Sequence, residues 1–155
     1  MRKIFLTFFY SGLFPKAPGT AGTIAGAILG IWLLSFLPVY ILFLLTILIT
    51  MIAIKEIDKE EEESGIHDAS SIVIDEVAGV WLAFSMLPQT MIHFILAIIF
   101  FRIFDIWKPS IIGRIDKEVK GGLGVMGDDI VAGLFAGFAT AITYRAIEYL
   151  GIIPN

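Results

Sequence analysis

Apolar residues fall into five long runs along the chain, separated by breaks of two kinds. The runs are residues 20–37, 39–57, 72–87, 90–106 and 129–150. Two breaks are tight and nearly uncharged, and each is centred on a proline. The other three, residues 1–19, 58–71 and 107–128, hold most of the charged side chains. Runs of this length and polarity predict about five apolar helices.

The order of the breaks predicts a topology. If every run crosses a membrane, two helical hairpins and a final helix place all three charged segments on one side. Lys and Arg are enriched in cytoplasmic loops, so we expect that side to face the cytoplasm. At 1.5 Å per residue some runs cover only ~24 Å of a ~30 Å hydrocarbon layer, so one or two are expected to be short, re-entrant or partly buried. The sequence predicts an all-α, polytopic membrane helical bundle formed by a single domain, residues 1–155.

Composition supports a membrane protein and excludes several functions. Hydrophobic residues make up 57% of the 155 residues, above the share in ordinary soluble domains. A net charge of -4 provides no basic surface for nucleic acid, which is bound through many Lys and Arg side chains. The absence of cysteine excludes thiolate metal sites and a cysteine-dependent phosphatase. The N-terminal apolar stretch lacks a small-residue cleavage site, and we interpret it as a retained interfacial segment.

Glycines recur every fourth residue in two of the runs. Gly22, Gly26 and Gly30 form one such set, and Gly133 and Gly137 form the other. Residues four apart share a helix face, and glycine lets a second backbone approach closely. These faces predict tight helix packing rather than chemistry.

Five acids lie at the ends of the apolar runs, where ionisable residues are costly and are usually functional. They are Asp75, Glu76, Asp105, Asp128 and Asp129. Oxygen ligands suit hard cations, and a cation such as Mg2+ neutralises the charge of a phosphate. If the five acids meet at one membrane face, they indicate a cation site and phosphoryl chemistry on a lipid.

The acids belong to three polar segments, each with a purely structural alternative. In residues 67–76, a continuous helix would align His67 with Asp75, although acids at a helix start can also simply complement its dipole. In residues 102–109, Asp105 is a candidate metal ligand or base and Lys108 a phosphate contact, unless Arg102 and Asp105 form only a structural ion pair. In residues 120–129, we expect a helix to begin at the acids, or a glycine loop followed by a cap.

A fourth segment, residues 14–23, is a rigid Pro-Gly turn before a helix. Thr20 suits a helix N-cap. Lys16 is placed to steer an anionic head group, or serves only as a positive charge that sets topology.

Together these segments resemble the phosphatidylglycerophosphatase A family, Mg2+-dependent bacterial membrane enzymes that remove phosphate from phosphatidylglycerol phosphate. The resemblance covers approximately residues 10–140 and rests on four motifs in the family's order: PKAPGTAGT, HD-x-x-S-I-V-x-DE, FRIFDIWKP and GGLGVM-x-DD. Departures from the family pattern at Ala69, Ser70, Ile74 and Gly127 affect spacer positions and leave every acid in place.

The resemblance implies roles for individual residues. The implied Mg2+ ligands are Asp75, Glu76, Asp105, Asp128 and Asp129. The residues expected to take part in catalysis are Asp75, Asp105, Lys108 and His67. The residues expected to contact the substrate are Lys16, Thr20, Thr23, Arg102 and Lys120.

The expected function is therefore hydrolysis of phosphatidylglycerol phosphate by a multi-pass enzyme of the bacterial cytoplasmic (inner) membrane, with its active site facing the cytoplasm. We expect water to attack in line, with a covalent aspartyl-phosphate as the less supported route and Asp75 or Asp105 as base. The alternative is a membrane transporter that uses intramembrane carboxylates as a cation or proton relay. A noncatalytic assembly protein is a third option, and the sequence leaves the oligomeric state open.

Overall fold

The computed structural model describes residues 1–152, so the last three residues of the predicted domain lie outside it. The described chain is entirely helical, without β-strands, which confirms the all-α prediction. A short 3-10 turn covers Ser11–Leu13. The helices are α1 (Arg2–Leu6), α2 (Pro18–Leu34), α3 (Val39–Ser64), α4 (Ile74–Ser85), α5 (Met91–Trp107), α6 (Ile111–Glu118) and α7 (Gly121–Tyr149).

The five apolar runs correspond to α2, α3, α4, α5 and α7, but they differ in length. Within residues 1–152, two helices are long and apolar enough to cross a membrane, α3 and α7. Helices α2 and α5 have 17 residues each, and α4 has 12, which is ~18 Å of helix. The structure thus has two candidate spans, fewer than the about five that the apolar pattern predicted.

Helix α4 lies at the centre of the bundle, which explains why it is apolar but short. Ten of its 12 residues are buried. It contacts α2, α3, α5 and α7. Large apolar side chains instead face outward from the surrounding helices, among them Phe43 and Leu48 on α3 and Phe138 and Ile142 on α7. The hydrophobic character of residues 72–87 is therefore explained by the burial of α4 within the protein.

Glycines bring the neighbouring helices against α4, as their spacing predicted. A Cβ atom on Gly26 would lie 2.9 Å from Cγ2 of Val77, and Trp81 Nε1 donates a hydrogen bond to the carbonyl oxygen of Gly26 at 2.7 Å. On the other side, a Cβ on Gly133 would overlap the carbonyl oxygen of Gly79. Both contacts hold the α4 backbone next to a neighbouring helix.

Helix α7 begins eight residues earlier than expected. The prediction that a helix starts at Asp128 and Asp129 is wrong, because α7 starts at Gly121 and places both acids two turns inside the helix. The early start depends on α3. Asp58 Oδ1 accepts a hydrogen bond from the Gly122 amide at 2.7 Å, and a Cβ on Gly122 would overlap the carbonyl oxygen of Ile54.

Residues 67–73 are not helical, so the predicted helical face joining His67 to Asp75 does not exist. Asp68 has a left-handed backbone with φ of 49°. The Val73 amide donates to the carbonyl oxygen of Leu6 at 2.9 Å instead of to a helical partner. Helix α4 therefore starts at Ile74, and Asp75 and Glu76 lie in its first turn.

We predict that Gly133→Ala destabilises the protein, because the added methyl would overlap the α4 backbone. The free energy of unfolding should fall by about 1–3 kcal/mol, as for other overpacked sites. The measurement is thermal unfolding in detergent. Gly127→Ala is the matched control on the same helix, since its Cβ would meet only the end of the Ile115 side chain at 3.2 Å. An equal loss in both variants would contradict the packing argument.

Candidate active site

The five acids singled out by their positions in the sequence converge on one cleft. The cleft has a volume of about 230 Å³ and lies where the first turns of α2 and α4 meet the end of α5 and the N-terminal part of α7. The acids that line it are Asp75, Glu76, Asp105, Asp128 and Asp129. Residues that are up to 54 positions apart in the chain thus share one cavity, as the cation-site interpretation requires.

Three of these acids form a compact buried group, Asp75, Glu76 and Asp129. One carboxylate oxygen from each lies within 4.8 Å of the others. Their exposed fractions are 7%, 9% and 3%. The group exists because α7 approaches α4 closely here, and a Cβ on Gly79 would lie 2.6 Å from the carbonyl oxygen of Asp129.

The electrostatics of this group favour a bound cation. Burial raises the pKa of Asp75 well above its usual range, and the negative charge of Glu76 adds to the effect. Burial also raises the pKa of Glu76 to about 8, with a further contribution from the charge of Asp129. Among residues 1–152, no group forms a hydrogen bond with the buried Glu76 Oε2. Clustered carboxylates with an unpartnered oxygen fit the ligand preference of a hard divalent cation.

Lys108 provides positive charge at the cleft wall. Its Nζ donates to Asp128 Oδ2 at 2.7 Å and to Asp116 Oδ1. Burial acts to lower the pKa of this ammonium group, but the hydrogen bonds to Asp116 and Asp128 outweigh it and raise the pKa above its ordinary value. The two carboxylates therefore favour the charged form of Lys108.

Arg102 forms a support behind Asp105 rather than part of the cleft wall. Its guanidinium group pairs with Asp105, and it donates to Thr20 Oγ1 at 3.3 Å and to Thr23 Oγ1 at 3.4 Å. Thr23 in turn donates to the carbonyl oxygen of Gly19 at 2.8 Å. These contacts tie α5 to the start of α2, so the structure places Arg102, Thr20 and Thr23 where they orient Asp105.

The other predicted site residues, His67, Lys16 and Lys120, differ in whether they line the cleft. His67 lines the cleft, is half-exposed, and its Nδ1 lies 2.7 Å from Glu61 Oε1. Lys16 and Lys120 are exposed and lie outside the set of described residues that line the cleft. The geometry therefore brings His67 to the acids but leaves these two lysines on the surface.

Among the cleft-lining residues to which sequence reasoning assigned no role are Gly19, Asp68 and Asp116. A Cβ on Gly19 would overlap Glu76 Oε1, so glycine is what allows α2 to start there. The inward position of Asp116 could have been predicted from the sequence. It lies four residues after the fully buried Ile112, so it is an acid on the inward face of an amphipathic helix.

The cleft as a whole is strongly negative. Seven carboxylates line it, together with Lys108 and His67. A phosphate group entering this cavity alone would be repelled, because like charges a few ångströms apart interact strongly in a partly buried site. The arrangement is suited to bind cations first and an anionic phosphate through them.

Comparison with known proteins connects this geometry to a family. The family model described as phosphatidylglycerophosphatase A matches residues 4–144. Phosphatidylglycerophosphatase A of Haemophilus influenzae is 40% identical over 142 residues, which covers 91% of this chain and 85% of the relative. The Escherichia coli K12 protein of the same name is 40% identical over 129 residues, covering 83% of this chain and 74% of the relative.

A third relative has a different name. A Bacteroides thetaiotaomicron protein, named provisionally as a phosphatidylinositol-3-phosphatase, is 38% identical over 143 residues, which is 88% of this chain and 89% of the relative. None of the solved structures gives a significant match to this chain. The names of these relatives thus agree on a lipid phosphatase but not on one head group.

We predict that Arg102→Met destabilises the protein more than the removal of an exposed arginine does. The variant leaves Asp105 without its charged partner and frees the start of α2, so the free energy of unfolding should fall by about 1.5–3 kcal/mol. The matched control is Arg145→Met, which also removes an arginine paired with an acid three residues later, but with 80% of the side chain exposed. Its loss should stay below about 1 kcal/mol. Thermal unfolding in detergent compares the two, and equal losses would contradict the role given to Arg102.

Proposed function

The chain belongs to the phosphatidylglycerophosphatase A family, and on this premise we propose that it hydrolyses phosphatidylglycerol phosphate to phosphatidylglycerol and inorganic phosphate. The observation that carries this proposal is the convergence of all five predicted acids on one cleft of about 230 Å³. The alternative, a transporter with a carboxylate relay, gains no support from the relatives.

Mg2+ is the proposed cofactor. Asp75, Glu76 and Asp129 would hold it, and Asp105 and Asp128 line the same cleft within reach of a phosphate. When bound, the cation neutralises phosphate charge and lowers the pKa of a water molecule so that it becomes a nucleophile near neutral pH. The raised pKa of Glu76 and its unpartnered oxygen support this assignment.

The side chains around the acids have separate proposed roles. Lys108 contacts the phosphate with an ammonium group held at the cleft wall. Asp75 or Asp105 accepts the proton of the attacking water, because both carboxylates line the cleft. Arg102 keeps Asp105 in place through its ion pair. His67, oriented by Glu61 at the rim, is the candidate donor of a proton to the departing glycerol oxygen.

We further propose that the bundle lies in the bacterial cytoplasmic membrane with the cleft at its inner face. Two helices are long enough to span, and the outer faces of the bundle are apolar. Lys59 follows Asp58, which binds the start of α7, and Lys117 follows Asp116, which lines the cleft. Both lysines therefore lie towards the end of the bundle that holds the cleft. The enrichment of Lys and Arg on the cytoplasmic side supports this orientation. A phosphate at the head of a lipid would then meet the cleft at the depth of the inner leaflet.

We predict that phosphate release from phosphatidylglycerol phosphate needs Mg2+ and the buried acids. In detergent micelles, a chelator should abolish the activity, and Mg2+ should restore it. Asp75→Asn, Glu76→Gln and Asp129→Asn should each lower kcat/KM by about 100-fold or more, since even groups one layer behind a metal ligand contribute 10–100-fold. Measuring the release of inorganic phosphate checks this.

The control and the substrate panel make this test specific. Glu62→Gln changes an exposed acid on α3 and should retain full activity. Phosphatidylinositol 3-phosphate in parallel assays shows whether the head group matters, since one relative carries that substrate in its name. Full activity in chelator, or in the Asp129→Asn variant, would overturn the proposed cation site. Release from phosphatidylinositol 3-phosphate alone would overturn the proposed substrate.

We also predict that Mg2+ binds more weakly at low pH. Without a cation, Glu76 has a pKa of about 8, so below that pH Mg2+ must displace a proton. The Mg2+ concentration that gives half the maximal rate should therefore fall as the pH rises from 6.5 to 8.5, by up to about tenfold per unit for each displaced proton. Titrations of Mg2+ at three pH values measure it. A half-saturating concentration that stays constant over this range would contradict the competition.

A further inference from the structure

Lys108 is held between two carboxylates that come from different helices. Its Nζ contacts Asp116 of α6 and lies 2.7 Å from Asp128 Oδ2 of α7. The exposed fractions of the three side chains are 29%, 30% and 6%, so the pair with Asp128 is the more buried. Asp116 therefore reaches Lys108 from the solvent side of the cleft.

The backbone around Lys108 is shaped to bring Asp116 to it. Lys108 adopts the left-handed helical conformation, with φ of 46° and ψ of 55°, and Ser110 also has a positive φ, of 51°. Such conformations are strained for residues other than glycine and concentrate at functional sites. They turn the chain after α5 so that α6 can pack on α7. A Cβ on Gly113 would lie 2.6 Å from the carbonyl oxygen of Lys108, which shows how closely α6 returns.

Helix α6 is fixed in this position by its apolar side. Ile112 is fully buried, and α6 packs on α7. Asp116 follows Ile112 by one helical turn and so faces inward with it. The position of Asp116 is thus determined by packing that does not involve the Lys108 ammonium group, as expected for a residue that holds that group in place.

Lys108 needs such a holder because the cleft offers its side chain many competing partners. Of the cleft-lining residues within 1–152, Lys108 alone carries a permanent positive charge, against seven carboxylates. A lysine ammonium group on its flexible stem accepts partners in many directions. The carboxylates of Asp116 and Asp128 hold the ammonium group in one of these directions.

We propose that Asp116 is a positioning residue that holds the Lys108 ammonium group at the cleft wall beside Asp128, where it meets the phosphate of the substrate. This inference rests on the proposed lipid phosphatase activity and adds a residue to it. Asp116 does not contact the reacting atoms. It acts through Lys108.

The sign of the effect of Asp116→Asn tests this proposal. If Asp116 only added negative charge to the cleft, removing that charge would favour an anionic substrate and would leave kcat/KM unchanged or raise it. If Asp116 positions Lys108, kcat should fall about tenfold even though the variant cleft repels the anionic substrate less. The assay is phosphate release from phosphatidylglycerol phosphate in micelles at saturating Mg2+. Asp116→Glu, which keeps the carboxylate, should recover most of the activity.

A double-mutant cycle separates positioning from a general structural role. In a Lys108→Met background, Asp116→Asn should cause no further loss, because there is no ammonium group left to hold. Glu118→Gln is the matched control, since it removes the same charge from an exposed position on the same helix, and it should stay within twofold of wild type. The activity of Asp116→Ala is measured in both backgrounds as well. The result can then still be interpreted if Asp116→Asn does not fold.

The outcomes are distinct. A loss in Asp116→Asn that disappears in the Lys108→Met background supports the proposal. Wild-type or higher activity in Asp116→Asn, or equal losses in both backgrounds, overturns it. A wild-type protein that releases no phosphate from any lipid phosphate with Mg2+ overturns the proposed function instead.

Discussion

The mutual repulsion of three buried carboxylates is the constraint on which this molecule depends. One carboxylate oxygen each of Asp75, Glu76 and Asp129 lies within 4.8 Å of the others in a bundle whose buried residues are mostly apolar. Two like charges 4 Å apart repel each other by roughly 4 kcal/mol even at an effective dielectric constant of 20. This repulsion adds to burial in raising the pKa of Asp75 and Glu76, so that without a cation the group retains protons. The fold maintains this arrangement, and a divalent cation is the partner that converts the repulsion into binding. The proposed chemistry on a phosphate then follows from the same excess of negative charge.

Packing around α4 is what brings the acids together. This helix is short and enclosed, so its first turn, with Asp75 and Glu76, lies inside the bundle instead of at a lipid-facing end. Glycines at 19, 79 and 133 remove the side chains that would keep α2 and α7 away from it. Arg102 and Lys108 then supply positive charge at the edges of the cluster and hold Asp105 and Asp128 in place. The packing of the helices therefore determines which charged groups meet in the site.

The sequence predicted which acids meet in the fold better than it predicted the local structure. Acids at the ends of apolar runs identified the cleft because their residue type is costly there in any fold. The start of α7 was missed because it depends on Asp58 and Ile54 of α3, which only the tertiary structure brings near. The sequence allowed for one or two short or partly buried runs but did not single out α4, because a buried helix and a membrane span have the same apolar composition. Thr20 and Thr23 matched a motif assigned to substrate contacts, whereas their hydroxyl groups bind Arg102.

The most direct test of the central claim compares thermal unfolding of the wild type and Asp129→Asn, in chelator and in saturating Mg2+. A ligand at 100 times its Kd stabilises the folded state by about 2.7 kcal/mol, so Mg2+ should raise the wild-type midpoint by several degrees. In chelator, Asp129→Asn should be at least as stable as the wild type, since one of the three buried acids is gone. Its unfolding midpoint should rise far less on addition of Mg2+. An equal rise in both proteins, or no rise in the wild type, would contradict the account.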